Sequence, residues 1–146
     1  MSAKVFVDTN ILVYCRDASE PEKQKKAMAW MTRLWETGRG RLSFQVLQEF
    51  YVTVTQKLKP GLEALSAQTD VRNLLAWRPL GVDARVLEGA WFIQERYGLG
   101  WLDALIVGAA QVSDCRYLLT EDLHESQLLG HLEVINPFRR TFESIS

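Results

Sequence analysis

The chain has 146 residues, 47% of them hydrophobic and 24% charged, with a formal net charge of −1. That length suits one domain with a sizeable core, and the balance excludes an intrinsically disordered chain. Near-neutral charge excludes a protein that grips nucleic acid by overall positive charge, while leaving room for a local basic patch.

No apolar run approaches the ~20 residues that span a bilayer. A strand starts too soon after Met1 for a signal peptide. Cys15 and Cys115 form no CxxC pair and read as buried free thiols of a reducing cytoplasm, so a cytoplasmic location is expected.

Val5, Phe6 and Val7 lack polar alternation and read as a strand buried on both faces of a parallel sheet. Asp8 follows at the carboxyl edge, where open α/β sheets place ligands; it is either a functional group or a cap for the next helix. A long helix is predicted over residues 21–36, with Ser19 or Glu20 at its start and Gly38 past its end. Ala27, Trp30, Met31, Leu34 and Trp35 share one of its faces. A turn at Gly38-Arg39-Gly40 leads to a short strand over residues 41–44.

Ser43 is placed to cap a helix over residues 44–58, stopped by Pro60-Gly61, with Val46, Leu47, Phe50, Tyr51 and Val54 as its apolar stripe. Another helix is expected over residues 62–76, with Leu62, Leu65, Val71, Leu74 and Leu75 inward. Residues 77–82 make a poor edge strand because of Pro79. Asp83 reads as the cap of a helix reaching about Tyr97, ended by Gly98. Residues 101–113 form a helix that is apolar nearly all round, with Asp103 as its one interior charge. Residues 117–119 and 132–135 are strands, with a loop or short helix between them. Strands alternating with helices predict an α/β sandwich with a mostly parallel sheet, in one domain over residues 1–146.

Four carboxylates occupy related places. Asp8 and Asp122 each follow a buried strand, Asp103 lies in the first turn of a buried helix whose positive end favours an anion, and Glu49 lies about one and a half turns into its helix. If all four meet at one sheet edge, their repulsion is severe unless a cation sits among them. Hard oxygen ligands of this kind suit Mg²⁺ or Mn²⁺, and carboxylate-held metals activate water for in-line displacement at phosphate. Taken singly, each has a plainer reading. Asp8 is a helix cap, Asp103 answers a helix dipole, Asp122 is a turn residue, and Glu49 sits on a solvated face. The chemistry needs all four together.

Val7-Asp8-Thr9-Asn10-Ile11-Leu12, Gln48-Glu49-Phe50-Tyr51, Asp103-Ala104-Leu105-Ile106-Val107 and Leu119-Thr120-Glu121-Asp122-Leu123 resemble the four acidic motifs of the PIN domain. They stand in the family's order and spacing, and Val134-Ile135-Asn136-Pro137-Phe138 resembles its ending. The resemblance covers residues 4–138. It implies a three-layer α/β/α sandwich with a central, mostly parallel sheet of about five short strands. It also implies a Mg²⁺- or Mn²⁺-dependent endoribonuclease. A chain with only this domain resembles a VapC-type toxin of a toxin–antitoxin pair.

By that resemblance Asp8 and Asp103 are direct metal ligands, with Glu49 and Asp122 binding metal directly or through water. Thr9, Asn10 and Thr120 match positions that orient the acids or the bound water. One departure is Gly100, where the family often has Ser or Thr; Gly caps a helix only slightly less well. The implied partners are an RNA substrate, a small antitoxin protein encoded nearby and a second copy in a homodimer. Lys23, Lys25, Lys26, Arg39, Arg41, Lys57 and Lys59 are candidates for guiding RNA, or a solvated surface.

Other classes fit less well. A haloacid-dehalogenase-like phosphatase wants a second Asp where Asn10 stands, and a receiver domain wants an acidic pair and a late Lys. The alternative is a non-catalytic PIN-fold module binding RNA or protein, expected to lack one or more of the four acids.

Overall fold

Every residue of strand β1, Val5–Val7, is fully buried, as three consecutive apolar residues require when helices cover both faces of a sheet. The computed structural model describes residues 2–145. β1 pairs in parallel with β2 (Gly40–Arg41) on one side and with β3 (Tyr117–Leu119) on the other. β3 pairs in parallel with β5 (Leu132–Ile135), and the edge strand β4 (Leu128–Leu129) runs antiparallel to β5. The five-stranded order is β2-β1-β3-β5-β4. With flanking helices this is the expected α/β/α sandwich.

The helices are α1 (Thr9–Tyr14), α2 (Pro21–Thr37), α3 (Phe44–Val52), α4 (Ala64–Leu74), α5 (Ala84–Tyr97) and α6 (Trp101–Val112). Their ends follow local chemistry. Ser43 and Asp83 accept from backbone N–H groups of α3 and α5, and Gly38 and Gly98 take the left-handed conformation that closes α2 and α5. Residues 104–110 of α6 are all buried. α6 crosses α5 closely at Gly108, where an added Cβ would stand 3.0 Å from the Val86 carbonyl oxygen. Trp30, Met31 and Leu34 join the core, while Trp35 is half exposed and lies against Trp77, ring centroids 5.1 Å apart.

Four expectations need correction. The helix after Ser43 is α-helical only to Val52 and continues over Thr53–Lys57 as a π-helical turn. Its freed Val54 carbonyl accepts from Leu62 N–H at 2.8 Å, a tertiary bond that helical periodicity does not register. Around α4, Ala67 and Leu74 are buried and Leu62 and Val71 pack partly buried against the core as expected, but Leu65 and Leu75 face out, because this segment presents only a narrow stripe to the core. Residues 77–82 contribute one bridge, Ser43 to Leu80, since Pro79 has no N–H to give. The segment between β3 and β5 holds the strand β4, whose two residues are too few to show a period.

Candidate active site

All four predicted acids line one cleft of about 740 Å³ at the carboxyl edge of β1 and β3. Asp8 is its floor. The residue is buried and caps α1, one carboxylate oxygen accepting from Thr9 N–H at 2.7 Å, and it also lines the cleft beside the other acids. Its second oxygen accepts from the Thr120 hydroxyl at 2.9 Å. Burial raises its pKa to about 7; the Thr120 and Thr9 hydrogen bonds oppose that rise, and the charges of Asp122 and Asp103 add to it.

Thr120, fully buried at the end of β3, has all its hydrogen-bonding capacity taken. It donates to Asp8 and accepts from the Asn10 amide at 3.2 Å and from Asp122 N–H at 3.1 Å. One hydroxyl thereby ties the acid after β1, the turn carrying Asp122 and the first turn of α1. On the other wall, Thr9 donates to one Glu49 oxygen at 2.7 Å and Gln45 to the other at 3.2 Å, so α1 and α3 hold that carboxylate jointly. Asp103, in the first turn of α6, has its pKa raised by burial and then by the charges of Asp122 and Glu49. Thr9 and Thr120 thus hydrogen-bond acids of the cleft directly, whereas Asn10 reaches them only through the Thr120 hydroxyl.

Glu121, next to Asp122, also lines the cleft but is engaged elsewhere. The Tyr14 hydroxyl donates to one of its oxygens, and Lys23 Nζ donates to the other at 2.7 Å. Burial and the bond to Glu121 hold the Tyr14 pKa above its usual value.

A divalent cation fits this donor set in kind: hard carboxylate oxygens, one of them costly to ionise without a counter-charge. Asn10 Oδ1, buried beside Asp8, accepts no hydrogen bond from the described residues. Yet among those residues no three His, Cys, Asp or Glu side chains close around a single point. Mg²⁺ commonly keeps several waters and takes one or two carboxylates directly, so a donor set without a protein cage is compatible with it in kind.

Sequence reasoning missed two supporting residues: Gln45 donates to Glu49 from one turn earlier in α3, and Tyr14, in the cleft wall, donates to Glu121. Of the basic residues considered for guiding RNA, Lys23 is paired with Glu121, Arg39 is buried and donates to the Ala3 carbonyl at 2.6 Å, and Arg41 donates to the Gly38 and Gly40 carbonyls. Lys57 lines the cleft.

Several solved structures share the fold. A structure of FitAcB from Neisseria gonorrhoeae is 19% identical with a TM-score of 0.64, covering 93% of this chain and 99% of that one. A toxin–antitoxin complex from Klebsiella pneumoniae is 19% identical, TM-score 0.60, covering 92% and 98%. The Mycobacterium tuberculosis toxin VapC20, a sarcin–ricin loop cleaving toxin, is 21% identical, TM-score 0.59, covering 79% and 87%. No curated protein sequence matches the chain. The family model of the PIN domain matches residues 5–127. With that match over most of its length, and with its sheet and helices in the arrangement of those relatives, the chain belongs to the PIN domain family.

Proposed function

We propose that this protein is a metal-dependent endoribonuclease and the toxin of a toxin–antitoxin pair, with residues 1–146 as one domain. The observation that carries the reading is the meeting of Asp8, Glu49, Asp103 and Asp122 in one cleft, with buried Asp8 at a pKa of about 7. A buried carboxyl whose pKa is raised by burial and by neighbouring acids is costly to fold and points to a functional site. A sarcin–ricin loop cleaving toxin and a toxin–antitoxin complex of the same fold support the substrate class and the partner.

Asp8 and Asp103 would hold a Mg²⁺ or Mn²⁺ ion directly, with Glu49 and Asp122 binding directly or through water. When bound, the ion supplies water activation and charge neutralisation at phosphate. The chain's own contribution is orientation. Thr120 and the Thr9 N–H fix both Asp8 oxygens, Thr9 and Gln45 fix Glu49, and the Thr120 acceptor bond fixes the turn carrying Asp122. Tyr14 and Lys23 keep the neighbouring Glu121 engaged, so it does not compete with Asp122.

Exposed Trp91 and Phe92 on α5 offer apolar surface for a second copy in a homodimer. The free thiols of Cys15 and Cys115 suit a reducing cytoplasm, and among the described residues no helix is long and apolar enough to cross a membrane.

The test is to incubate purified protein with cellular RNA in Mg²⁺, in Mn²⁺ and in EDTA, and to sequence the RNA ends. New ends that depend on the metal are expected. RNA left intact under all three conditions refutes the nuclease reading. Growth arrest on expression, relieved by the neighbouring reading frame, tests the toxin reading separately.

A further inference from the structure

Six carboxylates line the cleft, Asp8, Asp17, Glu49, Asp103, Glu121 and Asp122, of which Glu121 is already paired with Lys23, and Lys57 is the one cation among the described residues that form its walls. A polyanionic strand must enter this space, and the metal site alone offsets only part of that negative charge. Lys57 is exposed, and among the described residues it makes no ion pair or hydrogen bond. Its charge is available.

Its position depends on a local departure from α-helical geometry. The turn Thr53–Lys57 is π-helical, closed by Leu58 N–H donating to the Thr53 carbonyl at 2.9 Å, and such turns recur at functional sites. Widening the turn carries Lys57 round toward the face that holds Glu49 and Thr53, both of which line the same cleft. The turn is held from outside. Val54 carbonyl accepts from Leu62 N–H at 2.8 Å, and the backbone packs so tightly there that a Cβ on Gly61 would stand 3.0 Å from both the Val54 and Leu58 carbonyl oxygens. A free cation delivered by a braced, non-α turn to an otherwise acidic cleft has a defined job.

We propose that Lys57 binds a backbone phosphate of the substrate strand, holding the RNA against the acids as a substrate-binding residue. This inference rests on the nuclease reading above. It is tested with wild type, Lys57→Ala, Lys57→Glu and Lys57→Arg, using a fluorescent single-stranded RNA oligonucleotide. Binding is followed by anisotropy in EDTA across a salt series, and cleavage kinetics are measured in Mg²⁺.

Lys57→Ala is expected to raise Kd and KM about tenfold with kcat little changed, and Lys57→Glu to raise them further. The slope of log affinity against log salt should shrink by about 0.7 in Lys57→Ala, the contribution of one phosphate contact on a single strand. Lys57→Arg should restore binding. The position is exposed, so all three variants should melt with wild type. If wild type binds and cleaves while Lys57→Ala keeps its KM and salt slope, this inference alone is overturned. If wild type neither binds nor cleaves RNA, the nuclease reading falls and takes this inference with it.

Discussion

The Thr120 hydroxyl donates to Asp8 across 2.9 Å, joining the ends of two neighbouring parallel strands at the point where the acids converge. The same oxygen accepts from Asn10 and from Asp122 N–H, so it cannot be removed without unpairing several groups at once. Thr120→Val, which keeps the shape and deletes the oxygen, should cost roughly 1–3 kcal/mol of stability in urea denaturation. Metal affinity should fall about 10- to 100-fold, the usual cost of losing a partner that orients a ligand. A variant as stable and as metal-avid as wild type would show that Thr120 is not the organiser of this edge.

Asp8 gives the metal-free protein a definite pH dependence. Its carboxyl ionises near pH 4 in the unfolded chain and at about 7 when folded. The folded state therefore holds an extra proton between those values, and stability falls as pH rises through that window. A loss of a few kcal/mol is expected between pH 4 and 7 in EDTA, with a shallower profile for Asp8→Asn. Binding of Mg²⁺ should tighten as pH climbs through 7, because the proton must leave first. Identical profiles for the two proteins in EDTA would remove Asp8 as the source.

Asp8→Asn and Asp103→Asn should each reduce RNA cleavage by more than ~100-fold, beyond the loss typical of residues that only orient a ligand. Neither change should unfold the protein, because both carboxyls are already pushed toward their neutral forms by burial and by neighbouring acids. Initial rates in Mg²⁺ beside a thermal melt separate the two effects. Unchanged cleavage by either variant would move the metal site elsewhere.

Glu121 and Asp122 are adjacent in sequence and line the same cleft, yet Tyr14 and Lys23 already occupy the Glu121 oxygens. Glu121→Gln should therefore change cleavage only a few-fold, whereas Asp122→Asn should reduce it about tenfold or more. Equal losses for the two variants, measured as kcat/KM on one RNA, would mean that Glu121 shares the metal-site role.

Gly108 lets α6 lie against α5, with the Val86 carbonyl 3.0 Å and the Ala90 nitrogen 3.2 Å from where a Cβ would stand. Gly108→Val should cost roughly 1–3 kcal/mol through overpacking. Because α6 carries Asp103, metal affinity should weaken along with stability. A melt at the wild-type temperature would show that the helix pair has slack there.

The parts legible in the sequence are those where local chemistry and tertiary position agree. β1 and β3 are apolar runs buried on both faces, β5 departs from that only at the half-buried Glu133, and all three appear at the predicted residues. Ser43 and Asp83 cap as expected because capping is a property of one turn. The π-helical turn was hidden because it depends on Leu62 and Gly61 beyond the helix. α4 was misread because a helix with Leu65 exposed and Ala67 buried defeats a rule that counts apolar residues. The acids were identifiable from their motifs. The bond from Thr9 to Glu49 joins residues 40 apart and had no local sign.

The sheet also has a consequence for association. Its two outer strands, β2 and β4, are two residues long each. A neighbouring chain seeking to extend the sheet would find almost no unpaired backbone to register against, so these short margins resist edge-to-edge aggregation. Specific contacts with other molecules are left to side chains on the helices, where a charge or an aromatic ring can discriminate between one partner and another.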